Sequence, residues 1–204
     1  MPRKTRGEIN TPGELYHIVC RGINQRRIFR SPQDYKKFLK ILKLVKEKFS
    51  FYLYSYNLLP NHIHLFVEID KTPISTIMHY INTCYAGYFN HRYKRTGHLF
   101  QDRFYSSLIN EEFYFWAVGA YIDLNAVRAA LVKYPQDYHW SSYQVYFQKN
   151  CDDSLTDWQR FLGFGAEISG ETSLERLCQN YLKFIEVELQ QPKRLKFIKN
   201  EKFI

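Results

Sequence analysis

A hairpin near residue 60 constrains the fold of this chain more than any other feature. Residues 51–58 and 62–69 are rich in aromatic and β-branched side chains, and Leu59-Pro60-Asn61 between them is typical of a turn. The second strand alternates strictly, and its apolar face is formed by Ile63, Leu65, Val67 and Ile69. The pattern therefore predicts two antiparallel strands, with this face packed against a core.

His62 and His64 belong to the opposite face of the same strand, because side chains two residues apart project to the same side. With Ile63 pointing into the core, the two imidazoles can converge on one small divalent metal ion. A His-x-His pair is also consistent with a plainer role, in which two half-exposed rings hydrogen-bond to neighbouring groups.

The order of the remaining elements predicts the fold class. Residues 15–20 have the composition of a strand, Ser31-Pro32 opens a helix, and Pro73 starts a second helix over about 74–92. Residues 99–109 are typical of a bent or bulged strand. The order strand, helix, strand, strand, helix, strand is the split βαβ plan. We expect an α+β, ferredoxin-like or RRM-like antiparallel sheet, with helices on one face and the other face left for a ligand.

A third helix carries a second pair of polar side chains. Asn110-Glu111-Glu112 places acidic residues at its positive end, and Tyr121, Asn125 and Arg128 share one flank. Residues four apart can point together, so Tyr121 offers a hydroxyl nucleophile beside the amide oxygen of Asn125. If this pair meets the histidines, the four residues form a phosphodiester-cleaving site. Tyr114 is the rival nucleophile, and Asn125 could instead end the helix.

The charge balance favours a polyanionic partner. The 204 residues include 29 Lys or Arg against 20 Asp or Glu, a net charge of +9, and 18 % of them are aromatic. Single-stranded nucleic acid is held by basic grooves with stacking aromatic rings. The lysine-rich face of the first helix is more simply a solvated surface.

The sequence also bears on the cellular compartment. No apolar run approaches the ~18 residues of a membrane span, and the first residues lack the apolar segment of a signal peptide. The four cysteines have no paired spacing, which is typical of reduced thiols. We expect a cytoplasmic protein without a membrane partner.

The last third of the chain has a weaker pattern. Trp140-Ser141-Ser142-Tyr143 is typical of an anchoring turn, residues 173–190 of an amphipathic helix, and residues 193–202 of a basic tail. We expect one domain over residues 1–147 and a C-terminal helical extension over residues 148–204.

Five ordered motifs together resemble one protein family. They are Gly13-x-x-Tyr16-His17-Ile18 with Arg21-Gly22, Leu59-Pro60-Asn61-His62-Ile63-His64-Leu65-Phe66, Gly97-His98-Leu99-Phe100-Gln101-Asp102-Arg103-Phe104, Tyr121-Ile122-Asp123-Leu124-Asn125-Ala126-Val127-Arg128-Ala129, and Trp140-Ser141-Ser142-Tyr143. Several ordered motifs are more specific than any one of them. Over about residues 7–147 the chain resembles the single-tyrosine HUH transposases, an IS200-like family, and among them the REP-associated tyrosine transposases.

The resemblance implies the HUH endonuclease fold and an enzyme that nicks and rejoins single-stranded DNA. By the same match, His62, His64 and Asn125 bind Mg²⁺ or Mn²⁺, and Tyr121 attacks the phosphorus to give a 5′-phosphotyrosine and a free 3′-hydroxyl. No small-molecule cofactor is implied. The family usually has proline after the metal-binding asparagine, whereas this chain has Ala126, so we expect the helix to run on.

The partner implied by the resemblance is a DNA hairpin with an adjoining single strand, bound by a monomer or homodimer at the nucleoid. The basic candidates for DNA contacts, each of which could be a solvated surface charge, are Arg21, Arg26, Arg27, Arg92, Lys94, Arg95 and Arg103. His98 is a further candidate, and His17 is expected to pack in the sheet rather than to bind metal. The alternative is a non-catalytic protein of similar fold that binds hairpin DNA or RNA.

Overall fold

The computed structural model describes residues 11–109, 115–146 and 153–190. The strands and α-helices of these residues are β1 (Leu15–Arg21), α1 (Pro32–Phe49), β2 (Phe51–Leu59), β3 (His62–Ile69), α2 (Ile74–Arg92), β4 (Tyr105–Ile109), α3 (Phe115–Asp123), α4 (Asn125–Arg128), α5 (Trp158–Ser169) and α6 (Leu174–Gln190). The strands form one sheet in the order β2-β3-β1-β4. This is the strand order of the split βαβ plan, so the predicted fold class is confirmed.

The chain divides into two compact units. The sheet unit comprises Met1–Tyr52 and Leu58–Leu108, and the helical unit comprises Leu53–Asn57 and Ile109–Ile204. The middle of β2 thus belongs to the helical unit. The domain boundary that the sequence predicts at residue 147 lies outside the described residues. Within the described residues, no helix is long and apolar enough to cross a membrane.

The predicted elements of the sheet unit are confirmed, with one exception. Helix α1 begins at Pro32 with Ser31 as its N-cap, as the sequence indicates. The fourth strand is shorter than predicted, because residues 99–104 form a loop that is tied to β1. In this loop Gln101 N donates to Arg21 O at 2.8 Å, and Phe100 forms an isolated bridge with Gly22.

Both faces of β3 are buried. The predicted apolar face is confirmed, with Ile63 and Leu65 fully buried. On the other face Phe66 is 0 % exposed and His64 is 4 % exposed, so the expectation that this face is left open is wrong at these positions. The amphipathic helix predicted over residues 173–190 is confirmed as α6. The predicted helix cap at residues 110–112 and the predicted basic tail lie outside the described residues.

Asp34 joins the start of α1 to the end of α2. Its buried carboxylate accepts hydrogen bonds from Arg30 N and Ser31 N and from the hydroxyls of Tyr88 and Tyr93, at 2.7 to 2.9 Å. Burial by itself raises the pKa of this carboxyl, but the hydrogen bonds outweigh burial and hold the pKa below its ordinary value. The ionised carboxylate therefore stabilises the junction of the two helices.

Asp34→Asn tests this junction. A folded-state pKa below the unfolded one means that the stabilising contribution is present above the unfolded pKa of ~3.9 and is lost as the pH falls through the folded pKa. We expect the variant to lower the free energy of unfolding at pH 7 by about 1–3 kcal/mol. Urea unfolding at pH 7 and pH 3 should show the difference shrinking in acid. A difference that is equal at both pH values would contradict the assignment.

Gly119 lets three helices of the helical unit approach closely. A Cβ atom at this position of α3 would lie 2.4 Å from Phe161 Cζ on α5 and 3.0 Å from the Tyr181 hydroxyl on α6. Both aromatic side chains are fully buried, so neither has free space into which it can move. Helix α3 therefore requires glycine here.

Gly119→Ala and Gly87→Ala form a matched pair. The first should destabilise the protein by about 1–3 kcal/mol because it overpacks a buried contact. The second lies on the exposed face of α2, where a Cβ atom meets nothing within 4 Å, and should stabilise by up to about 1 kcal/mol. Chemical unfolding of both variants measures the two effects. Equal effects would contradict the packing account.

Candidate functional site

The pairing of β1 with β3 positions the two histidines of the His-x-His motif. The strands are antiparallel, with Val19 opposite His64 and Arg21 opposite His62. The rings of His62 and His64 lie on the same face of β3, with their centroids 5.0 Å apart and their planes at 72°. This separation allows the edges of both rings to approach one common point.

His62 has the protonation state that a metal ligand needs. Its Nδ1 lies 2.7 Å from Asn61 Oδ1, which is an acceptor, so Nδ1 carries the proton and Nε2 carries the lone pair. Burial, together with the nearby positive charge of Arg21, lowers the pKa of His62 to about 4. The ring is therefore neutral at neutral pH.

His64 is held by His17, a contact that the sequence analysis missed. The Nε2 atom of His17 lies 3.0 Å from His64 Nδ1, and the two rings stack with an interplanar angle of 11°. His17 is buried in the sheet as expected, and burial lowers its pKa to about 4. The contact depends on the register of the two strands. His17 lies opposite Phe66 and is therefore a diagonal neighbour of His64.

The donors fit a divalent metal ion by their chemistry. Both imidazoles are hydrogen-bonded at Nδ1, so a metal ion would be bound through Nε2, and neutral imidazole is an accepted ligand for several divalent ions. In the described part of the chain, no group of three or more His, Cys, Asp or Glu side chains could hold a metal ion. The third donor that the sequence predicts for a site with His62 and His64 is the side-chain amide of Asn125.

The second pair of predicted site residues flanks a break in the helix. Helix α3 ends at Asp123 and α4 begins at Asn125, so the prediction that the helix runs on is wrong even though residue 126 is alanine. At the break, side-chain amides donate hydrogen bonds to backbone carbonyls of α3. Asn125 Nδ2 donates to Tyr121 O at 2.9 Å, and Asn57 Nδ2 donates to Ile122 O at 2.8 Å.

Tyr121 and Asn125 are neighbours in the helical unit. Because Asn125 uses Nδ2 for the Tyr121 carbonyl, Oδ1 is the atom that it can offer to a ligand. Tyr121 is 2 % exposed and Asn125 is 8 % exposed. The rival nucleophile Tyr114 lies outside the described residues.

Arg128 contacts Tyr121 twice. Its Nη1 donates to Tyr121 O at 3.2 Å, and its Cζ atom lies 4.9 Å from the centre of the Tyr121 ring. The sequence placed Arg128 on the same flank without assigning it a role. The structure indicates that it holds the tyrosine in position.

Asp123 anchors the break in the helix. Its buried carboxyl accepts the Ser55 hydroxyl at 2.8 Å and the Tyr181 hydroxyl at 2.7 Å. Burial raises the pKa of this carboxyl to about 7, although its hydrogen bonds oppose the shift. Asp123 was not among the site residues predicted from the sequence. An acidic residue in the apolar stretch of α3 was the available signal.

The Trp140-Ser141-Ser142-Tyr143 motif is an anchor, as predicted. Ser141 forms an isolated bridge with Asn57, and the Ser142 hydroxyl accepts Tyr56 N at 2.9 Å. The hydroxyl also donates to Ser55 Oγ at 3.1 Å. The motif thus fixes the middle of β2 beside the Asp123 network.

The predicted site residues form two pairs, one in each unit. His62 and His64 belong to the sheet unit, and Tyr121 and Asn125 belong to the helical unit. Each pair is brought together within its own unit. The convergence of the two pairs on one metal ion stays a prediction.

The basic candidates for DNA contacts all lie in the sheet unit. Arg21 and Arg95 are half-buried, and the exposed ones are Arg26, Arg27, Arg92, Lys94 and Arg103. Arg92 Nε forms an ion pair with Asp34 Oδ1 at 3.5 Å, so part of its charge is engaged. A pocket of about 500 Å³ beside Arg103 is also lined by His98 and Phe100.

Comparison with known proteins identifies the family. Residues 12–125, more than half of the chain, match the family described as "Transposase IS200 like". Comparison with the curated proteins gives no match.

Two solved structures are similar to this chain. A REP-associated tyrosine transposase bound to a REP hairpin has a TM-score of 0.60 at 18 % identity, over 76 % of this chain and 93 % of that one. A putative transposase from Deinococcus radiodurans has a TM-score of 0.42 at 14 % identity, over 67 % and 98 %. The first likeness supports the fold, and the family match supports the assignment. The chain belongs to the IS200-like transposase family.

Proposed function

We propose that this transposase-family protein is a metal-dependent endonuclease and strand transferase that acts on single-stranded DNA at hairpins. The observation that carries the proposal is the arrangement of the two histidines. Their rings lie on one face of β3, and each ring is held at Nδ1, His62 by Asn61 and His64 by His17, so Nε2 is the atom through which each ring could bind a metal ion. Neutral imidazoles with a fixed second nitrogen are typical of metal ligands. Binding of DNA without chemistry has no need of such a pair.

The proposed metal site combines His62 and His64 with Asn125 Oδ1. Mg²⁺ or Mn²⁺ bound there would supply Lewis-acid activation and orientation of the scissile phosphate. The residues themselves contribute neutral donors. Arg128 and Asn125 donate hydrogen bonds to the backbone carbonyl of Tyr121, and these bonds fix the backbone that carries the tyrosine side chain.

In the proposed reaction the Tyr121 hydroxyl loses its proton and attacks the phosphorus. A new bond forms between the phenolic oxygen and phosphorus, and the bond from phosphorus to the 3′-oxygen breaks. The 3′-oxygen takes up a proton, and the 5′-phosphate remains on tyrosine. The covalent bond conserves the energy of the broken one, so a 3′-hydroxyl can reverse the step and rejoin or transfer the strand.

The burial of Tyr121 adds a requirement. Tyr121 is 2 % exposed, so its side chain must be uncovered before the hydroxyl can reach a phosphate in line. The same burial favours a second candidate function, a non-catalytic protein that binds hairpin DNA or RNA on its basic surface. Cleavage assays separate the two candidates.

The proposed substrate is a DNA hairpin with an unpaired flank. One structural neighbour is bound to a REP hairpin. In this chain the exposed arginines of the sheet unit offer phosphate contacts, and the pocket beside Arg103, with Phe100 in its wall, has room for an unpaired nucleotide. We place the protein at the nucleoid as a monomer or homodimer.

Tyr121→Phe tests the nucleophile. Purified protein incubated with labelled hairpin DNA and Mn²⁺ should form a denaturant-resistant adduct, and Tyr121→Phe should abolish it because no hydroxyl remains to form the bond. Tyr80→Phe, at an exposed position of α2, is the matched control and should leave the adduct unchanged. An adduct that persists in Tyr121→Phe but is lost in Tyr114→Phe would transfer the role to Tyr114.

Removal of the metal tests the second half of the site. EDTA should stop cleavage, excess Mn²⁺ should restore it, and hairpin binding measured by fluorescence anisotropy should persist throughout. His64→Ala should slow cleavage by more than about 100-fold, because it removes a ligand. His139→Ala, at an exposed position, is its control. Full hairpin binding without cleavage in any metal would instead support the non-catalytic function.

A further inference from the structure

We propose that His17 is a positioning residue for the metal site. Its Nε2 accepts a hydrogen bond from His64 Nδ1, and His64 therefore presents Nε2 to the ion. The inference rests on the proposed metal-binding function of His62 and His64. It assigns the third histidine of the sheet a role distinct from ligation.

The geometry supports a direct and rigid contact. His17 Nε2 and His64 Nδ1 are 3.0 Å apart, and the stacked rings have centroids 5.2 Å apart. The two residues are 1 % and 4 % exposed, so bulk water does not compete for the bond. Both lie on the paired central strands β1 and β3, which hold the two rings at a fixed offset.

The hydrogen bond allows two arrangements of the proton, and only one suits a metal ion. If His64 Nδ1 donates, the lone pair of His64 is on Nε2, where a metal can bind. If His17 Nε2 donates instead, neutral His64 carries its proton on Nε2 and cannot bind metal through that atom. Metal binding therefore requires His17 to act as the acceptor, with its own proton on Nδ1.

The environment of His62 supports the same arrangement. Asn61 Oδ1 is an acceptor by nature, and it lies 2.7 Å from His62 Nδ1. His17 would do for His64 what Asn61 does for His62. An acceptor behind each ligand fixes its tautomer and ring orientation, which is the ordinary use of a hydrogen-bond partner behind a metal-bound imidazole.

His17→Phe and His17→Gln separate positioning from packing. Phenylalanine keeps a stacked ring and removes the acceptor, whereas glutamine retains an amide acceptor. We expect the Kd for Mn²⁺, measured by isothermal titration calorimetry, to rise by about 10–100-fold in His17→Phe and to recover at least partly in His17→Gln. His139→Phe, an exposed histidine, is the control and should keep the wild-type Kd.

A second readout needs no metal. In ¹⁵N-histidine NMR spectra of the metal-free protein, His64 should be protonated on Nδ1 in the wild type and should become a mixture of tautomers in His17→Phe. Wild-type Mn²⁺ affinity in a folded His17→Phe variant, or a wild-type His64 protonated on Nε2, would overturn the inference.

The outcomes distinguish this inference from the proposed function. If the wild type binds no Mn²⁺, the metal-dependent function fails, and the role of His17 fails with it. If the wild type binds Mn²⁺ and both His17 variants bind equally well, the function stands and only the role of His17 is lost. Should both variants fail to fold, the tautomer of His64 in the wild type decides.

Discussion

The antiparallel pairing of β1 with β3 is the constraint on which the candidate metal site depends. Its register sets Val19 opposite His64 and makes His17 the diagonal neighbour of His64. A slip of one residue would send every side chain of a strand to the other face, burying Ile63 among polar groups and turning the histidines into the apolar core. The burial of the apolar face of β3 therefore determines that His62 and His64 lie together on the opposite face.

In the helical unit, a break between two helices positions Tyr121 and Asn125. Helix α3 stops at Asp123, and side-chain amides rather than the next helical turn satisfy the carbonyls at the break. Asp123 binds Tyr181 of α6 by a hydrogen bond, so a helix that the sequence assigned to a separate extension supports the segment that carries Tyr121. The C-terminal part of the chain thereby contributes to the geometry of the candidate nucleophile.

Local patterns explain what the sequence could predict. The alternation of β3 and the Ser31-Pro32 start of α1 are properties of neighbouring residues, and they correctly gave the fold and the shared face of His62 and His64. Features that depend on distant partners were missed or wrong. The contact between His17 and His64 depends on the register of β1 with β3, and one carbonyl at the helix break is bound by Asn57, which is distant in sequence. Helix α5 was not foreseen because its glycines weaken the helical signal.

The central proposal is that His62, His64 and Asn125 bind one metal ion. Crystals grown with Mn²⁺ would test it directly through the anomalous scattering of the ion. The account predicts a single anomalous peak within bonding distance of His62 Nε2, His64 Nε2 and Asn125 Oδ1. An ion bound by the histidines while Asn125 lies elsewhere, or no ion at the histidines, would contradict it.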